Sequence, residues 1–123
     1  MGDTMKLGQA MVFVHDAARM QAFYESLGMQ VVDGNAASGF VRLADPAGGA
    51  VLAIHATKAA GPGGGPRVDT WIKLCFLVDD VDHERAALVE RGVTMRDIHR
   101  WEGIAFCDGI DPEGNVFQIT TRR

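Results

Sequence analysis

Asp111-Pro112-Glu113-Gly114-Asn115-Val116-Phe117-Gln118-Ile119 has a shorter counterpart in Asp45-Pro46-Ala47-Gly48, and reading the two together decides the fold. In each, Asp suits the first position of a type I turn, Pro sets φ at the second and Gly is favoured at the fourth. Both read as a tight turn that launches a strand, which indicates architecture and not catalysis. Working outward, Val14-His15-Asp16 and Val78-Asp79-Asp80 each close a strand-like run and open a helix-like stretch. The order strand, helix, strand, strand, turn, strand therefore occurs twice, and such a duplication places equivalent residues around a cleft.

In the first copy, residues 6–14 read as a strand, and Asp16 is placed to cap a helix. That helix reads over residues 17–27, with Met20, Phe23, Tyr24 and Leu27 on one face and Gly28 as the stop. Strands come next at 30–33, 40–43 and 50–56. In the second copy, 71–78 is strand-like, and 81–91 is a helix with Val81, Ala87 and Leu88 turned inward and Gly92 after its end. Strands at 93–98, 103–107 and 115–120 complete it. Between the copies lies Gly61-Pro62-Gly63-Gly64-Gly65-Pro66, which disfavours regular structure. It is not followed by the Gly-Lys-Ser/Thr of a phosphate loop. The expected division is a first βαβββ module at 1–57, a linker at 58–70 and a second module at 71–123.

A chain of 123 residues with 47% apolar content holds enough material for one core or two half-domains. Its formal charge of −4 comes without a basic block, so no nucleic-acid partner is expected and a small organic molecule is the default. No apolar run approaches the roughly 20 residues of a membrane span, and Met1-Gly2-Asp3-Thr4-Met5 does not read as a signal peptide. The expectation is a cytoplasmic protein with no membrane partner. Cys75 and Cys107 lie in apolar runs and read as buried, reduced thiols.

Two βαβββ modules of this length, with Phe23-Tyr24-Glu25-Ser26-Leu27-Gly28-Met29 ending the first helix and the Asp111–Ile119 motif near the C-terminus, resemble the vicinal-oxygen-chelate superfamily. That superfamily includes glyoxalases, bleomycin-resistance proteins and extradiol dioxygenases. The resemblance covers nearly the whole chain. It implies an α+β fold in which the two modules form a curved, cup-shaped sheet, and a homodimer, with module pairing within or between chains left open.

In metal-dependent members the ligands come from the first and last strand of each module. Carried onto this chain, those positions are Gln9, Ala53, Lys73 and Gln118. Ala53 offers no donor and Lys73 would repel a cation, so no metal cofactor is expected. If a divalent metal binds, the set is Gln9, His55 and Gln118, because His55 lies two residues beyond Ala53 on the same side of the strand. Otherwise Gln9 and Gln118 are hydrogen-bonded amides lining the cup. Lys73 either has an anionic partner, or has a lowered pKa, or snorkels out of the sheet.

Phe13, His55 and Trp101 are expected to contact ligand together with Gln9, Lys73 and Gln118, with Trp101 in a long segment at the cup mouth stacking on a planar compound. His15, His83 and His99 read as turn or solvent-facing residues. The first functional reading is a metal-free binding protein similar to the bleomycin-resistance branch. The alternative is a glyoxalase-like or dioxygenase-like enzyme. It would be metal-dependent, or use His55 or Glu102 as base with Lys73 holding the developing oxyanion.

Overall fold

The computed structural model of the chain describes residues 9–58 and 72–122. The start of the strand expected at 6–14, the linker expected at 58–70 apart from Lys58, and Trp71 lie outside those residues. The chain divides into two compact units, one containing residues 9–58 and the other 72–122. Each is a βαβββ module, so the architecture is α+β, as the repeat implies. None of the described helices is long and apolar enough to cross a membrane.

The first module runs β1 (Gln9–Val14), α1 (Ala17–Ser26), β2 (Gln30–Asn35), a 3-10 turn (Ala36–Ser38), β3 (Phe40–Ala44) and β4 (Val51–Ala56). The second runs β5 (Leu74–Leu77), α2 (Val81–Glu90), β6 (Thr94–Trp101), β7 (Ile104–Ile110) and β8 (Val116–Thr120). Sheet order is β1-β4-β3-β2 in one and β5-β8-β7-β6 in the other. The first and last strands of each module pair in parallel, and the other pairs are antiparallel.

Local chemistry repeats as closely as topology does. Asp16 caps α1 by accepting from the Arg19 amide at 3.0 Å, and Asp80 caps α2 by accepting from the His83 amide at 3.0 Å. Gly28 and Gly92 follow the two helices with left-handed φ of 106° and 87°. Along α1, Ala17, Met20 and Tyr24 are buried, and along α2, Val81 and Leu88 are. They pack with Val41, Leu43, Leu52 and Ile54 in the first module and Ala105, Cys107, Phe117 and Ile119 in the second, forming one core per module.

Three expectations need correction. Trp101 does not stand in a long segment: β6 continues through it, and Glu102-Gly103 is a two-residue hairpin loop into β7. Glu102 and Gly103 have φ of 46° and 81°, the twin positive values that a type I′ turn demands and that let a tight hairpin follow the twist of its strands. Cys75 is exposed, because β5 stands at the end of its sheet with one face uncovered, whereas Cys107 is buried as expected. Lys73 precedes β5 by one residue instead of lying inside it.

The two Asp-Pro-x-Gly turns are built alike and embedded differently. Asp111 is 4% exposed, and its Oδ1 accepts from the Glu113 and Asn115 amides, both at 2.9 Å, while Oδ2 accepts from Asn115 Nδ2 at 2.9 Å. Asp45 is exposed, and its Oδ1 accepts from the Ala47 amide at 2.8 Å. Replacing a buried, multiply bonded carboxylate leaves its donors unsatisfied. Asp111→Ala should therefore cost about 2–3 kcal/mol in urea unfolding, and Asp45→Ala less than about 1 kcal/mol.

Candidate functional site

One face of each sheet is covered by its helix. Side chains alternate along a strand, so the residues between the core positions share the opposite, open face. In the first module this face carries three cross-strand rows: Gln9, Val51 and Ala44; Met11, Ala53 and Arg42; and Phe13, His55 and Phe40. In the second, Cys75, Gln118 and Asp108 form one row, and Leu77, Thr120, Phe106 and His99 form the next. Equivalent positions therefore correspond as Gln9 with Lys73, Ala53 with Gln118, and Arg42 with Asp108.

In both modules a polar bridge crosses the last strand. Arg42 Nε donates to Gln9 Oε1 at 3.1 Å, reaching over β4 where Ala53 is fully buried and too small to obstruct it. Asp33, re-aimed by a register shift in β2, lies 3.6 Å from Arg42 Nη1. Across β8, Lys73 Nζ meets Asp108 Oδ2 at 2.8 Å and Gln118 Nε2 donates to Asp108 Oδ1 at 3.1 Å. Lys73 thus has an anionic partner, one of the alternatives its sequence position leaves open. Partial burial would raise the Asp108 pKa, but hydrogen bonds from Lys73 and Gln118 and the Lys73 charge outweigh it and hold the carboxyl below the ordinary range. Cys75 lies beside this bridge. Lost solvation pushes its thiol pKa up more than the Lys73 charge pulls it down, which disfavours the nucleophilic thiolate.

The second feature of each face is an aromatic row beside the bridge. His55 sits between Phe13 and Phe40, with ring centroids 5.4 and 5.9 Å away, and its Nδ1 lies 2.8 Å from the Ala56 carbonyl oxygen. In the second module His99 stacks on Phe106 at 5.4 Å and 24°. Phe13 is 49% exposed and Trp101 60%, so both present ring surface to solvent.

The residues singled out from sequence are thus only partly brought together. Gln9 and Arg42 meet, as do Lys73 and Gln118 through Asp108. Gln9 and His55 are on neighbouring strands but four residues apart in register, roughly 13 Å along the strand. The Gln9–His55 part of the hypothetical metal set is therefore not assembled. Glu102 lies at the hairpin tip, beyond the far end of β7 from the Lys73–Asp108 bridge. Asp108 of that bridge lies four residues along the strand from Ile104, roughly 13 Å, and Glu102 is two residues further on, so Glu102 and Lys73 do not form a base and oxyanion pair. Trp101 and Glu102 instead border a shallow cleft of about 550 Å³ with Asp79, Asp82 and Arg100. There Arg100 Nη2 holds both Asp82 carboxylate oxygens, at 2.6 and 2.7 Å.

Arg42 and Asp108 are the functional candidates that sequence reading misses. The available signal is a charged residue at the open-face position of an otherwise core-forming strand, between Val41 and Leu43 and between Cys107 and Gly109. The donors at the four ligand-equivalent positions do not fit a divalent cation. The Gln9 oxygen already accepts from a guanidinium, Ala53 has no donor, Lys73 is a cation paired with Asp108, and Gln118 offers its N–H. Among the described residues no group of three or more His, Cys, Asp or Glu is arranged around a metal position.

Because the folded pKa of Asp108 is depressed, its stabilising contribution is present above the unfolded value of about 3.9 and is lost as pH falls through the folded value. Carboxyl-carbon NMR should show Asp108 titrating below the ordinary range, and Lys73→Gln should move its midpoint up. Over the same acid range, Lys73→Gln should lose less stability than the parent.

Comparison with known proteins places this geometry. The family model for the Glyoxalase/Bleomycin resistance protein/Dioxygenase superfamily matches residues 6–119. No curated protein matches the sequence significantly. The fold is similar to that of TnmS3, an antibiotic-binding protein from Streptomyces sp. CB03234, with TM-score 0.74 and 22% identity over 97% of each chain. It is also similar to a lactoylglutathione lyase from Agrobacterium tumefaciens, with TM-score 0.71 and 20% identity over 97% of this chain and 95% of that one. A bleomycin resistance determinant encoded on transposon Tn5 gives TM-score 0.70 and 19% identity over 97% and 99%. With the family match spanning nearly its whole length, the chain belongs to the Glyoxalase/Bleomycin resistance protein/Dioxygenase superfamily.

Proposed function

We propose that this protein binds a small organic molecule without a metal ion, on the open faces of its sheets. The observation that carries the reading is the fate of the ligand-equivalent positions. In one module Arg42 reaches over Ala53 to Gln9, and in the other Asp108 ties Lys73 to Gln118. A guanidinium and an ammonium beside these positions disfavour a cation and favour polar ligand groups. Exposed Met11, Phe13, Leu77 and Trp101 add apolar contact area. An antibiotic-binding protein and a bleomycin resistance determinant among the structural neighbours are consistent with such a role. The family resemblance supports a homodimer.

The test is thermal unfolding of the purified protein against a panel of small aromatic compounds, with and without a chelator. A compound present at 100 times its Kd adds about 2.7 kcal/mol, which raises the melting temperature by several degrees. At least one compound should do so equally in chelator. Stabilisation that appears with added divalent metal and vanishes with chelator would overturn the reading.

A further inference from the structure

We infer that the open face of the first module selects a planar aromatic ligand carrying an anionic group, with Arg42 as the residue that reads the charge. This deepens the ligand-binding reading and rests on it. Each polar bridge contains one cation, and the two charges are answered differently. Lys73 is matched by a carboxylate at 2.8 Å, whereas Arg42 has neutral Gln9 at 3.1 Å and the carboxylate of Asp33 no nearer than 3.6 Å. That Asp33 side chain is 63% exposed, so the pair is solvent-screened and weak.

These two contacts engage Nε and Nη1 of a guanidinium that has five N–H donors in a planar fork. Such a fork suits a carboxylate or a phenolate oxygen. Gln9 fixes the orientation of the fork, so less freedom is lost when an anion docks. Along β3 the Arg42 row lies two residues from the row of Phe13, His55 and Phe40, roughly 7 Å away. One small rigid molecule therefore spans both, its ring against the exposed edge of Phe13 and its acid group on Arg42.

Naphthoate and its neutral amide, naphthamide, share a ring system and differ in charge. Titration calorimetry with both separates the charge-reading inference from ligand binding itself. The parent protein should bind naphthoate about tenfold more tightly than naphthamide, and Arg42→Gln should abolish that preference. Asp33→Asn removes the competing carboxylate and should tighten naphthoate binding by about two- to threefold, a gain that a misfolded variant cannot produce. In the unmutated protein, naphthoate should shift the Arg42 Nε–H resonance more than naphthamide does. Equal affinity for the two probes, or a preference that survives Arg42→Gln, would overturn this inference and leave the ligand-binding reading standing. Failure of both probes to bind would overturn this inference, and the ligand-binding reading would then stand or fall on the compound panel alone.

Discussion

The two-residue alternation of side chains, imposed on sheets that a helix covers on one face, is the constraint on which the rest of this protein depends. Val41, Leu43, Leu52 and Ile54 are buried under α1, so Phe40, Arg42, Ala53 and His55 must emerge on the other side. A slip of one residue in either pairing would exchange core for open face, which makes the register of β3 on β4 and of β7 on β8 the determinant of the site. Stability and chemistry are thereby coupled: the same core contacts that hold the sheet also aim Arg42 at Gln9 and Asp108 at Lys73.

Duplication shows what has been kept and what has been exchanged. Caps at Asp16 and Asp80, left-handed glycines at 28 and 92 and the two Asp-Pro-x-Gly turns keep their positions and roles. The open faces keep a plan as well, a polar bridge beside an aromatic row, but fill it with different groups. One bridge is a guanidinium on a neutral amide; the other is a carboxylate between an ammonium and an amide. Two such surfaces give one chain unlike electrostatic environments on a common frame.

The fold is legible in the sequence because turns, caps and apolar periodicity are local signals: Met20 and Tyr24 are buried as their spacing implies. The positions Gln9, Lys73 and Gln118 are legible through their offsets from motifs. Their partners are not, because Arg42 and Asp108 sit on middle strands and meet Gln9 and Lys73 through register across 33 and 35 residues of sequence. The hairpin at Trp101 escapes a sequence reading because Glu is an unusual residue for the first position of a type I′ turn. The exposure of Cys75 escapes it because an apolar run does not reveal that its strand stands at the end of a sheet.

The central claim is that the ligand-equivalent positions are taken up by charged and amide bridges and not by a metal site. The most direct measurement is elemental analysis of the purified protein after equilibration with nickel, zinc, manganese and iron and exhaustive dialysis. The account predicts no metal above background. One retained ion per chain, displaced when Gln118 is replaced by Ala, would contradict it.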